Sequence, residues 1–163
     1  RFLAGTMDMD GEAPNGALYS FNGKAVTRLL DGIRISNGLA WSPDYKTFYY
    51  IDTLTFGIEA FDYHEREISN RRMVISCDTQ YGFPDGMCID NKGMLWIAEW
   101  GGGCVSKWNP LNGEIMEKIK LPCTNVTSCC IDNYSNLYIT TAKSDSKEDI
   151  YGGGLFYFDL NGI

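Results

Sequence analysis

At 163 residues, with 44% apolar and 13% aromatic content, the chain is long enough to bury a core and too apolar for a disordered segment. A formal charge of -7, with the 14 Lys and Arg residues scattered, excludes a phosphate-reading surface and hence a nucleic-acid partner. No run of about 18 apolar residues occurs, which excludes a membrane-spanning helix, and no membrane partner is expected.

In chain order, "RFLAGTMDMDGEAPNGALYSF" (1 to 21) reads as two strands around a polar loop, and Lys24 to Leu29 as a third. Within that loop "MDMDGE" looks like part of a calcium-binding loop. It lacks the terminal Glu and the flanking helices, so it reads as an ordinary connection. "NGLAWSPDYKTFYYIDTLTFGIEAFDY" (37 to 63) contains three strands, and Ile68 to Ile75 supplies a fourth. His64 falls in a polar hairpin and reads as solvated. Asn70-Arg71-Arg72, the densest basic spot, reads as a solvated turn.

"DGMCIDNKGMLWIAEWGGGCVSKWNP" (85 to 110) repeats the same order, with Glu99 and Trp100 closing its second strand at an expected surface position and "WGGGC" breaking the chain. Ile115 to Lys120 is its fourth strand. "TSCCIDNYSNLYITTAKSDSKEDIYGGGLFYFDL" (127 to 160) is the last copy. Trp41, Trp96 and Trp108 are expected to pack between sheets.

Six cysteines (77, 88, 104, 123, 129 and 130) show no C-x-x-C spacing. Free thiols in a reducing compartment are expected, which places the protein in the cytoplasm, with secretion as the alternative. Cys129 and Cys130 are neighbours on one strand, so one should face inward and the other outward.

The aromatics that close the third strand of each copy, Phe21, Phe61, Trp108 and Phe158, recur 40, 47 and 50 residues apart. Four short strands per unit at such a period predict an all-β protein, a β-propeller of antiparallel blades, with a sandwich as the alternative. The expected blade remnants are 1–36, 37–84, 85–126 and 127–163. The first has lost its opening strand.

The first strand of a propeller blade lines the central channel. Asn37, Asp85 and Thr127 each stand four residues before a strand residue, Trp41, Ile89 or Ile131, so their side chains should meet at one end of that channel. On its own, Pro84-Asp85-Gly86 would read as a turn tripeptide. Aligned with the other copies, it aims a carboxylate at the axis. An amide and a carboxylate without histidine suit a hard cation such as Ca²⁺, Mg²⁺ or Mn²⁺, and further ligands must come from elsewhere.

"ISNGLAWS", "FYYIDTL", "PDGMCID", "LWIAEW", "KLP" and "TSCC" together closely resemble the regucalcin (senescence-marker protein), gluconolactonase and luciferin-regenerating enzyme family. The resemblance runs from "FLAGTM" to "GGGLFYFDLNGI". It implies a six-bladed propeller, of which this chain would hold three to four blades and lack those at the N-terminal side, and a monomer when full-length. It also implies one divalent metal, Ca²⁺ or else Zn²⁺, Mn²⁺ or Mg²⁺, and hydrolysis of sugar lactones such as gluconolactone. Asn37 and Asp85 match the family's metal ligands, Asp85 its general base, and Asp10 the acidic substrate contact after "GTM". The family's remaining Glu ligand and Arg-x-Asn motif have no counterpart here. A non-catalytic calcium-binding regulator and a luciferin-regenerating hydrolase are the alternatives it leaves open.

Overall fold

The computed structural model describes residues 1–11 and 13–162; Glu12 of the first loop and Ile163 of the last copy lie outside the described residues. Among them there are fourteen β-strands, three short 3-10 turns and no α-helix. Strands β1 (Phe2–Gly5), β2 (Gly16–Phe21) and β3 (Val26–Ile33) form the first sheet, and β4 (Ser36–Trp41), β5 (Thr47–Asp52), β6 (Gly57–His64) and β7 (Glu67–Ser76) the second. The third is β8 (Phe83–Ile89), β9 (Leu95–Trp100), β10 (Cys104–Asn109) and β11 (Glu114–Lys120). The fourth, β12 (Asn125–Ile131), β13 (Asn136–Ala142) and β14 (Leu155–Asp159), is joined to the third in strand pairing by one residue pair, Asn125 with Trp100. All pairings are antiparallel between consecutive strands apart from that bridge, as in propeller blades.

The hairpin after each innermost strand turns by one device. Ser42 Oγ accepts from the N–H groups of Lys46 and Thr47, Asp90 Oδ1 from those of Lys92 and Met94, and Asp132 Oδ1 from those of Tyr134 and Asn136. Each turn contains one residue at positive φ: Tyr45 at 56°, Gly93 at 80° and Ser135 at 64°. These three lie at the same distance along the chain from Asn37, Asp85 and Thr127, so the repeat is one of backbone conformation as well as of residue type.

Alternation along the strands builds three interfaces. Phe48 and Tyr50 of β5 face the first sheet with Leu18 and Ile33, while Tyr49 and Ile51 face the third with Leu95, Ile97 and Trp108. On β9, Leu95 and Ile97 face the second sheet, while Trp96 and Ala98 face the fourth with Val126, Cys129 and Leu137. This explains why "TFYYID" and "LWIAEW" read as continuous apolar runs: both faces of each strand are covered. Trp96 and Trp108 are buried in these interfaces and Trp41 packs at the edge of the first. All six cysteines are free, with Cys129 buried and Cys130 exposed, and His64 is exposed.

Two expectations are overturned. Arg71 is no turn residue: it lies on β7, and its Nε and Nη2 donate to both oxygens of the buried Glu59 carboxylate, at 2.8 and 2.9 Å. Glu59 comes from the adjacent strand twelve residues away, and a local reading of charge could not pair them. Arg71→Met is expected to cost about 2 kcal/mol of unfolding free energy at pH 7, since a buried carboxylate loses its two donors; urea denaturation measures it. Glu99, expected at the surface, is wholly buried between the second and third sheets, because a strand covered on both faces has no solvent side.

Candidate active site in the central channel

The three aligned positions share one backbone irregularity. Ser36 pairs with Asp52 but Leu39 with Tyr50, Pro84 with Glu99 but Met87 with Ile97, and Val126 with Thr141 but Ser128 with Thr140. Each innermost strand therefore carries one extra residue, a β-bulge, at Asn37–Gly38, at Asp85–Gly86 and at Thr127. A bulge turns side chains away from the regular alternation, and it does so here at the same end of three neighbouring sheets. Pro84-Asp85-Gly86 thus lies inside a strand and forms no turn.

Glycines let these strands approach closely. A Cβ on Gly38 would stand 2.8 Å from the Asp85 carbonyl oxygen, and one on Gly86 would stand 2.8 Å from the Ser128 Cα and closer still to its side chain. The innermost strands of the second, third and fourth sheets therefore meet backbone to backbone around the axis. Leu3, Gly5, Ser36, Asn37, Gly38, Leu39, Gly86, Met87 and Ser128 line a cavity of about 370 Å³ there.

Asn37 and Asp85 are brought together. Burial pushes the Asp85 carboxyl up to about 6, and hydrogen bonding from the Asn37 side chain and the Gly86 N–H pulls the other way. No Lys or Arg among the described residues pairs with it. A half-buried carboxylate without a cationic partner beside an amide provides two oxygen donors of the kind that a hard cation takes. Among the described residues no group of three or more His, Cys, Asp or Glu side chains is placed to hold a metal, so the two would be part of a ligand set.

Thr127 Oγ1 is hydrogen-bonded to Thr140 Oγ1 at 2.8 Å, and its neighbour Ser128 is the residue of that bulge that lines the cavity. Asp10 is exposed on the turn that follows the Met7–Ile35 bridge, outside the residues lining the cavity. Its loop leaves the channel at Gly5.

Sequence reasoning missed the residues that support the site. Asp52, at the end of β5, accepts from Arg34 N and Ile35 N at 3.0 and 2.9 Å, which fixes the entry into β4 one residue before Ser36. The Tyr50 hydroxyl donates to Ser36 Oγ at 2.6 Å, and burial pushes its pKa up to about 12. Thr53 receives Asn37 Nδ2 at 3.1 Å and reaches the Pro84 carbonyl at 2.9 Å, linking the second sheet to the third beside Asp85. "IDT" at the end of a strand carried the only signal: polar residues directly after a fully apolar run.

Comparison with known proteins gives a consistent picture. The family model described as the SMP-30/Gluconolactonase/LRE-like region matches residues 1–143. A regucalcin of Danio rerio is 46% identical over 149 residues, which are 87% of this chain and 50% of the relative. A regucalcin of Agrobacterium tumefaciens, described as a calcium-binding protein, superposes with a TM-score of 0.86 at 25% identity, covering 96% of this chain and 56% of that one. A gluconolactonase of Xanthomonas campestris superposes with a TM-score of 0.69 at 28% identity, covering 90% and 44%. The chain spans about half the length of the curated relatives it matches.

Proposed function

Because the chain belongs to the SMP-30/Gluconolactonase/LRE-like family, we propose that it carries the Asn37–Asp85 part of a divalent-cation site in a hydrolase of sugar lactones. The observation that supports this most is the pairing itself: an amide that lines the cavity and an uncompensated carboxylate hydrogen-bonded to it, set side by side by equivalent bulges of adjacent innermost strands. A divalent cation bound there, Ca²⁺ or else Zn²⁺, Mn²⁺ or Mg²⁺, would supply Lewis-acid polarisation of the lactone carbonyl.

In this reading Asp85 accepts a proton from the attacking water. The water oxygen adds to the carbonyl carbon, the ring C–O bond breaks, and the ring oxygen takes the proton held by Asp85 and leaves as the new hydroxyl of a hydroxy acid. In the cation-free protein a carboxyl that titrates near 6 is largely ionised at neutral pH, so it is ready to take a cation and to accept a proton. Asn37 is neutral and holds its oxygen toward the site without cancelling the cation's charge. Asp10, on the loop that leaves the channel at Gly5, meets substrate hydroxyls at the rim.

The test is acid release from gluconolactone by the full-length protein, followed with Ca²⁺, Zn²⁺ or Mn²⁺ added after chelation. Chelation is expected to remove turnover and one of these ions to restore it, while Asp10→Ala raises KM with little change in kcat. Cation binding without turnover would leave a regulator rather than an enzyme.

A further inference from the structure

The Asn37 amide has two chemically different ends, and which one faces the channel decides what it can bind. A chain of hydrogen bonds answers this. The Pro84 carbonyl can only accept, so the Thr53 hydroxyl, 2.9 Å away and buried with it, must direct its proton there. A hydroxyl has one proton. Toward Asn37, 3.1 Å away, Thr53 Oγ1 can therefore act only as an acceptor, and the amide edge that faces it must be the NH₂ group. The carbonyl oxygen Oδ1 is then at the other end, and the second NH₂ proton is the one available to the Asp85 carboxylate in the cation-free protein.

We propose that Thr53 is a positioning residue: its hydroxyl, committed to the Pro84 carbonyl, holds the Asn37 amide in the one orientation that leaves Oδ1 free for a cation or a substrate hydroxyl. The proposal rests on the reading of Asn37 and Asp85 as oxygen donors of one site. Thr53 also ties that amide to the residue preceding Asp85, so the two donors are set relative to each other across the sheet boundary. The boundary between the third and fourth sheets lacks this arrangement. Opposite Asn125, at the corresponding place on the third sheet, stands Trp100, which offers no hydroxyl.

The experiment compares the full-length wild type with Thr53→Val, which keeps the shape and loses the hydroxyl, and Thr53→Ser, which keeps the hydroxyl. In nitrogen-edited NMR without any cation, a contact between one Asn37 Hδ2 proton and the Thr53 side chain, with slowed exchange of that proton, is expected in the wild type. Its absence overturns the proposal whatever the protein binds. In calorimetric titration with Mn²⁺ and Ca²⁺, Thr53→Val is expected to bind about 10- to 100-fold more weakly, as outer partners of metal ligands usually do when lost. Thr53→Ser should stay within about threefold of wild type. A folded Thr53→Val with wild-type affinity, or a Thr53→Ser as weak as a Val variant, overturns it. A wild type that binds neither ion removes the cation site, and the amide contact then decides the orientation by itself.

Discussion

Asp85→Asn in the full-length protein is expected to lower kcat for the proposed lactone hydrolysis by about 10³-fold, within the 10²- to 10⁴-fold that general-base catalysis typically contributes. The substitution keeps the shape of the side chain and its place beside Asn37, so it opens no cavity and breaks no ion pair. What it removes is the proton acceptor and one negative charge. The variant should therefore unfold at no lower urea concentration than wild type at neutral pH, which separates loss of chemistry from loss of fold. NMR titration supplies a further check. In the cation-free protein the Asp85 carboxyl should titrate near 6, and addition of a bound cation should lower that value, because a neighbouring positive charge favours the ionised form. An Asp85→Asn protein that retains activity within a few-fold of wild type would end the assignment of Asp85 as base.

The repeat was legible in the sequence because each copy solves the same problem with the same residue types. An aromatic closes the third strand, a polar Asx or Ser turn follows the first, and Asn37, Asp85 and Thr127 stand in register. That register led to the pairing of Asn37 with Asp85 forty-eight residues apart, with no knowledge of the bulges that bring it about. The remainder was illegible for a common reason. Arg71 finds Glu59, and Thr53 finds Pro84, across strands or sheets whose separation the chain does not encode locally. A run such as Asn-Arg-Arg or Ile-Asp-Thr looks the same whether its partners are water or a neighbouring sheet. Two of the three bulges leave no mark beyond a glycine, which has many other uses, and the one at Thr127 leaves not even that.

Glu99 shows how much a register comparison adds once the structure is known, and it leads to the largest stability effect expected. It stands opposite Pro84 as Asp52 stands opposite Ser36, so both acids occupy one place in their sheets. Asp52 is satisfied by two backbone N–H groups. Glu99, one carbon longer, is instead held in the interface, where Ser106 Oγ bonds its Oε1 at 2.5 Å and Trp108 Nε1 donates to that hydroxyl at 2.7 Å. Its Oε2 is buried without a hydrogen-bond partner. Burial pushes its pKa from the ordinary 4.5 up to about 7, against the Ser106 hydrogen bond and the charge of Lys118. Below pH 4.5 the acid is neutral in both the folded and the unfolded chain, and its ionisation costs the fold nothing. As pH rises through 4.5 the unfolded chain releases the proton while the folded one retains it, so folding stability falls until the folded acid also ionises near 7. Above that the penalty is complete, at about 3 kcal/mol. Glu99→Gln removes the charge, keeps an acceptor for Ser106 and converts the orphan oxygen to an NH₂ group. The variant is therefore expected to match wild type in urea unfolding at pH 4 and to exceed it by about 2–3 kcal/mol at pH 8 to 9. A difference that stayed constant across that range would mean that Glu99 is solvated or paired, and that the interface between the second and third sheets is looser at its upper end than the buried carboxyl requires.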